Sequence, residues 1–380
     1  MPSRTTSRRD GVTILIVAVS GRALASAARR VGEKVIVADL FADRDTAEMG
    51  PCVRVSGVPA GGLDYDALLS AVEKFRNQIG GIVYGSGFER DPSVLRRLAE
   101  IAPILGNPAE VVERIKDPFG FAATLARLGL PHPATTALAP RLDGWLRKLA
   151  GGAGGGHILP TQHAAPSPRA YYQKKVDGRA VSALFVANGH AARVLGFSTQ
   201  WCSPSPATPY RYGGSAAPLP LPATLAARLA AACDAIAAET RLVGLNSLDT
   251  LVSGLDFTIL EVNPRPGATL DVFDGIGDAS LWRIHHAALN GQLPPLPAAM
   301  RPRAAMIVYA PSCVRVPTGV DWPAWTADRP PDGTIIGAEE PICTVLATAN
   351  SVGAAIDCVR RRTQQILRVL STDSAERRSS

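Results

Sequence analysis

The segment Leu260-Glu261-Val262-Asn263-Pro264-Arg265-Pro266 carries the densest chemistry in this 380-residue chain. A glutamate and an asparagine two apart on a strand share one face, because successive side chains alternate. Such an oxygen pair suits Mg²⁺, a hard cation that takes a few protein oxygens and completes its shell from phosphates and water. Arg265 lies two further on, on the same face if the strand continues, where a planar guanidinium could clamp a phosphate or carboxylate bidentately. Asp249 sits on the preceding strand. Pairing around the turn near Gly254 brings it close to Glu261 or Asn263 as a third oxygen ligand.

Two further features fit polyphosphate. The run Gly151-Gly152-Ala153-Gly154-Gly155-Gly156 lets successive backbone amides approach an anion. It has neither the GxxxxGK[ST] of a P-loop nor, after the first strand, a GxGxxG fingerprint. Lys116 and Lys148 stand at the edges of apolar stretches, in Arg114-Ile115-Lys116-Asp117-Pro118 and Trp145-Leu146-Arg147-Lys148-Leu149. A point charge on a flexible stem neutralises phosphate oxygens well.

The elements that must position these residues alternate between helix and strand. Residues 12–19 (VTILIVAV) are a continuous apolar run, the signature of a strand covered on both faces. A helix over Arg22 to Arg30, a strand over Lys34 to Asp39, a helix over Tyr65 to Gln78 and a strand over Gly81 to Tyr84 complete an α/β unit of about a hundred residues. Helical patterns cover Ala109 to Lys116 and Pro118 to Leu128, and Gly129, Pro131 and Pro133 end the second. Tyr171 to Val176 and Val181 to Val186 read as strands with a turn at Asp177-Gly178. A long helix, Leu221 to Glu239, precedes the strand pair 246–252 and 256–262. The stretches 158–169 and 201–222, rich in Pro, Ser and Ala, read as linkers, the second mobile. Strand-like runs at Ala305 to Tyr309 and Ile342 to Thr348 and a final amphipathic helix, Val352 to Leu370, occupy the C-terminal part.

Composition narrows the function classes. Hydrophobic residues at 46% can bury a substantial core. The formal net charge of +7 suits phosphate-bearing small molecules. Much of it lies at the ends, in Arg4, Arg8 and Arg9 and in Arg360, Arg361, Arg362, Arg377 and Arg378, which read as frayed or solvated segments. No nucleic-acid module accompanies them, so nucleic acid is not an expected partner. The six cysteines are scattered without CxxC or metal spacing, as in a reduced cytoplasmic protein. No apolar run approaches the ~20 residues of a membrane span.

In order along the chain, Leu105-Gly106-Asn107-Pro108, Lys116-Asp117-Pro118, the glycine loop and Glu261 to Arg265 resemble the ATP-grasp superfamily, over about Val12 to Asp274. More narrowly, Ala18 to Ala25 (AVSGRALA) and Tyr84 to Glu89 (YGSGFE) are similar to runs in the group of predicted ATP-dependent carboligases. The resemblance implies a mixed α/β and α+β chain with the ATP-grasp fold: a Rossmann-like domain at 1–102, two ATP-gripping α+β subdomains within 103–280, and a C-terminal extension at 281–380. It implies that Lys116, Lys148 and the loop glycines Gly151, Gly152, Gly154 and Gly155 hold the phosphates of ATP. The adenine falls to Gln173, Lys174, Lys175 and Val176; Gln173 stands where relatives often carry Glu. Mg²⁺ or Mn²⁺ falls to Asp249, Glu261 and Asn263, and Arg265 becomes the catalytic arginine. His157, near the loop where some relatives place an arginine, is read as structural or solvated.

The implied activity is that of an ADP-forming ligase, which activates a carboxylate as an acyl phosphate and joins it to an amine with release of phosphate. The partners are then small-molecule carboxylates and amines, and the group's association with one-carbon cofactor biosynthesis implies a cofactor precursor or glutamate as acceptor. A carboxylating or thiol-forming ligase and a non-catalytic ATP-binding protein are the alternatives. The last hundred residues are read as a lid or a homodimer surface.

Overall fold

The computed structural model describes residues 13–58, 62–273, 280–295 and 301–376, with side chains as far as 370. Val12 and Asp274, the limits of the family resemblance, lie outside them, as do Arg4, Arg8, Arg9, Arg377 and Arg378. The apolar runs of the first unit form a four-stranded parallel sheet in the order Cys52–Arg54, Val35–Asp39, Thr13–Val17, Ile79–Tyr84. Leu15, Ile16 and Val17 are wholly buried, as both faces are covered. The chain leaves the fourth strand through Gly85 to Glu89, so this sheet delivers Glu89 to the rest of the molecule.

Two short helices follow, Ala109–Lys116 and Pro118–Arg127. Val111, Val112 and Ile115 turn inward from the first. Asp117 separates the two: its carboxylate accepts from the Phe119 amide at 3.1 Å, and Pro118 fills the first helical position, where no donor is needed. Lys116 is thereby fixed at the last residue of its helix.

Residues 135–174 form a small antiparallel sheet in the order Thr135–Thr136, Ala170–Lys174, Trp145–Leu149, Leu159–Pro160. The large sheet has eight antiparallel strands in the order Asp256–Asn263, Val243–Ser253, Arg179–Asn188, Ala192–Cys202, Tyr212–Ala217, Arg303–Tyr309, Pro341–Thr348, Thr326–Ala327. Two sequence expectations are corrected here. Asp177-Gly178 does not close a hairpin, because the strand before it belongs to the small sheet and the strand after it to the large one. The stretch 201–222 is not a mobile linker, since Tyr212–Ala217 is an interior strand of the large sheet with residues 213–217 buried. The helix Ala223–Thr240 covers one face, turning Leu225, Leu229, Ala232, Cys233, Ile236 and Ala237 inward at helical spacing. Among the described residues no helix is long and apolar enough to cross a membrane.

The C-terminal residues return to the first unit. Asp45 accepts from the Asp328 and Arg329 amides at 2.9 and 2.8 Å, and Arg329 reaches Glu48 at 3.0 Å. Asp43, beside them, is buried. Burial and then its neighbours Asp328, Asp39 and Asp45 push its pKa up to about 9. A folded-state pKa above the unfolded one stabilises at low pH, and that contribution is lost as pH rises toward 9. Asp43→Asn is therefore expected to match the wild type near pH 4. At pH 8 it should be more stable by about 1–3 kcal/mol, as read by urea denaturation at both pH values.

Candidate functional site

Register decides what meets at the site. Around the turn at Gly254, where φ is +61°, Asp249 pairs with Glu261 and Ser247 with Asn263. A bulge beside Asp249 keeps the three polar groups on one face. Asn263 donates through Nδ2 to Asp249 Oδ2 at 2.9 Å, which turns its Oδ1 outward. Gln200 donates to Asp249 Oδ1 at 3.4 Å. Lys116, brought by its helix, places Nζ 3.2 Å from Glu261 Oε2 and 3.0 Å from Asn263 Oδ1. An ammonium thus sits where these hard oxygens would hold a divalent cation, so two carboxylates and an outward amide oxygen fit Mg²⁺ or Mn²⁺. Among the described residues no three His, Cys, Asp or Glu side chains form a metal cluster. A cation here would need oxygens from its ligand to complete its shell.

The charges are tightly linked. Glu261 is 44% exposed, so it lines an open cleft, yet protein surrounds it. Burial pushes it up, but Lys116, Lys148 and His157 overcome this and hold its pKa at about 2. Burial, then Glu261, raises Asp249 to about 6. Lys148 is buried, and its pKa is lowered by burial against the pull of Glu261. Lys148 stands opposite Tyr171 on the small sheet, and strand alternation puts Tyr171 and Gln173 on its face. Tyr171 feels the charge of Glu261, so this face of the small sheet looks onto the hairpin of the large one. Lys174 points to the other face, its Nζ 5.7 Å from the Trp145 ring centre. The amides of Lys174 and Lys175 are bonded to the carbonyls of Ala134 and Gly144, both at 2.8 Å, while Val176 lies past the strand end.

The glycine loop is held at both ends. A Cβ on Gly151, whose φ is +71°, would lie 2.3 Å from the Glu89 carbonyl oxygen. The Gly154 carbonyl accepts from the Tyr212 amide at 2.9 Å. Gly155 at φ +73° and Gly154 at φ +66° carry similar left-handed strain for any side chain, of about 1–2 kcal/mol. They differ in space: a Cβ on Gly155 would sit 2.0 Å from the Tyr210 oxygen, whereas one on Gly154 meets nothing within 4 Å. Gly155→Ala is expected to speed hydrogen exchange of the amides of 150–158 by about tenfold or more, and Gly154→Ala to change it far less. Equal rates in the two variants would show that the loop is not docked on Tyr210.

Arg265 lies beyond the strand end, and its Nη2 remains 3.5 Å from Asn263 Oδ1. Its Nε bonds Glu89 Oε1 at 2.8 Å in an ion pair whose side chains are 10% and 3% exposed. Burial pushes Glu89 up, but Arg265 and then Lys116 hold its carboxyl below the usual range. Behind it, Asn107 donates to Asn246 Oδ1 at 2.8 Å and to the Pro264 carbonyl at 2.9 Å, and Tyr84 bonds that carbonyl at 3.2 Å. These contacts fix the turn that aims Arg265.

Glu89 and Asn107 lie in runs that carry the family resemblance, and their contacts across 139 to 176 residues of chain were invisible in it. His157 also faces the cluster. Burial lowers its pKa to about 4, with Glu261, Lys148 and Lys116 the charges it feels, so its ring is neutral near pH 7. The ring packs under Gly152, and its buried Nδ1 finds no partner among the described residues.

Residues 115–269 match the family model described as ATP-grasp domain, and the chain has the ATP-grasp fold. A solved biotin carboxylase from Campylobacter jejuni, in its complex with βγ-ATP, is similar over 90% of this chain and 89% of its own, with TM-score 0.70 and 15% identity. N5-carboxyaminoimidazole ribonucleotide synthetase from Thermus thermophilus is similar over 92% and 98%, with TM-score 0.66 and 19% identity. The same synthetase from Staphylococcus aureus is similar over 93% and 98%, with TM-score 0.65 and 14% identity. No curated protein sequence matches the chain.

Proposed function

We propose that this chain, which carries an ATP-grasp domain, is an ADP-forming ligase that activates a carboxylate with ATP and joins it to an amine. One observation carries the reading: Lys116 Nζ lies between Glu261 Oε2 and Asn263 Oδ1, with Asp249 directly across the ladder. A set of oxygens that draws in an ammonium is suited to Mg²⁺ or Mn²⁺ arriving with a triphosphate. The metal supplies charge neutralisation of the phosphates and of the leaving ADP. Asp249, Glu261 and Asn263 would hold it. Lys116, which now bonds Glu261 and Asn263, would then turn to the phosphate oxygens, where Lys148 adds a second positive charge. The loop around Gly151 to Gly155 offers backbone amides and covers the reacting groups. Arg265, aimed by Glu89, orients the carboxylate toward the transferring phosphoryl group.

No nucleophilic side chain is needed. The substrate carboxylate attacks the γ-phosphorus, the bond to the bridging oxygen breaks, and ADP leaves. The amine then attacks the acyl carbon of the acyl phosphate, and phosphate leaves with its bonding electron pair as the amine loses a proton. The adenine is placed against the strand Ala170–Lys174, with Gln173 on the cleft side and the backbone from Lys174 to Val176 at its edge. The similar structures named for carboxylation favour a second reading, in which bicarbonate is the carboxylate.

ADP release with Mg²⁺ and ATP, screened against amines with a carboxylate present, against bicarbonate and against thiols, separates these. Release that depends on both an amine and a carboxylate is the expected result. Release that requires a thiol in place of the amine, with the carboxylate present, would overturn the amine assignment, and tight ATP binding without turnover across the panel would overturn ligase activity.

A further inference from the structure

A cavity of about 150 Å³ lies where the first unit meets the turn after Arg265 and the strand Arg303–Tyr309. Its apolar wall includes Ala23, Leu24, Pro266, Leu270, Met306 and Ile307. A cavity of this size in an apolar setting accepts a benzene-sized body. Its charged wall is Arg22, Asp271 and Asp328. Arg22 is 7% exposed and grips Asp271 bidentately, with both distances 2.6 Å. It reaches Asp328 at 3.1 and 3.2 Å, and the Ser20 hydroxyl donates to the same carboxylate at 3.1 Å.

Two carboxylates thus share one guanidinium, and the charged end carries one net negative charge. Asp39, Asp43 and Asp45 lie behind Asp328, while Arg30 faces Asp271 from outside the wall. Buried carboxylate charge is costly unless a cation meets it. Tyr212 also lines the cavity, and its amide is bonded to the glycine loop. Pro266 follows Arg265 directly. The cavity therefore opens beside the place where the activated carboxylate would lie.

We propose that this cavity is the acceptor subsite, which captures a primary amine with a compact apolar body, the ammonium on Asp271 and Asp328 and the body against Leu24, Met306 and Ile307. The assignment of this occupant as the acceptor rests on the carboxylate–amine reading; the selectivity for a cation rests on the cavity alone.

Calorimetric titration of the full chain without nucleotide tests it, using benzylamine, benzyl alcohol and benzoate, three probes of one shape and different charge. Benzylamine should bind at least about tenfold more tightly than either of the others. Ala23→Leu, which fills the cavity from a helix and keeps helix propensity, should weaken benzylamine by about tenfold or more. Asp271→Asn should narrow the preference over benzyl alcohol, and Ala23→Leu keeps the test decisive if that variant misfolds. Preference for benzoate, equal binding of all three, absence of benzylamine binding at millimolar concentration, or undiminished binding to a folded Ala23→Leu would each overturn the proposal. Mg-ATP binding is measured separately, so failure of the ligase reading appears there and failure of the cavity assignment appears in the amine titration.

Discussion

Glu261→Ala is expected to lower Mg-dependent ADP formation by about 10³-fold, with the folded chain intact. The carboxylate is the one oxygen donor of the site that stands open to solvent, at 44% exposure, so its removal leaves no buried void. Lys116 retains Asn263 as a partner at 3.0 Å, which limits the structural cost. On the proposed reading the variant would lose both a metal ligand and the carboxylate that holds Lys116 Nζ at 3.2 Å. Steady-state ADP release measured over a range of Mg²⁺ and Mn²⁺ concentrations checks this. Saturating metal should recover little of the rate, because the lost charge lies in the transition-state environment and not only in metal affinity. Activity within tenfold of the wild type would remove Glu261 from the mechanism.

The second large effect is on stability. Glu89→Ala should destabilise the fold by about 3–5 kcal/mol, because it strands the Arg265 guanidinium in a buried setting. The pair is 2.8 Å apart with side chains 3% and 10% exposed, and Glu89 also accepts from the Gly87 amide at 2.8 Å. The urea midpoint measures the loss. Arg265→Met added to Glu89→Ala should restore part of the stability, since the stranded charge is then gone, but should restore no activity. A loss below about 1 kcal/mol would mean that solvent reaches the pair freely. This variant separates the two roles of Glu89: it anchors the C-terminal end of the parallel sheet to the turn after Asn263, and it aims an arginine.

The hairpin was legible because its information is local. A two-residue turn at Gly254 brings Asp249 near Glu261, but strict alternation from that turn would set it opposite Leu260; the bulge beside Asp249, which spacing does not reveal, is what sets it opposite Glu261. Lys116 was legible for a similar reason, at the end of a helix bounded by Asp117-Pro118. The strand Tyr212–Ala217 was not, because YGGSAA lacks the large alternating residues that signal a strand. Its small residues are required by contacts elsewhere: a Cβ on Gly214 would lie 2.3 Å from the Ala305 oxygen and 2.6 Å from the Trp201 ring. Glu89 and Asn107 were invisible as site residues because their partners lie far along the chain, and His157 was read as structural or solvated because nothing local shows that it faces Glu261. Alternation also separates Lys174 from Lys148, which a resemblance read residue by residue does not show.

The place of that small-residue strand bears on how the chain can be divided. Residues 115–269 look like a module when the sequence is matched, but Tyr212–Ala217 pairs on one side with Ala192–Cys202 and on the other with Arg303–Tyr309. A fragment ending near residue 295 would strip that second neighbour and expose a flat row of unpaired amides and carbonyls, bordered by glycine and alanine with no charged side chain to guard it. Such a border invites self-association. The C-terminal strands are thus the closing seam of the large sheet, and excision of the family-matched segment is expected to yield an aggregate rather than a smaller folded unit.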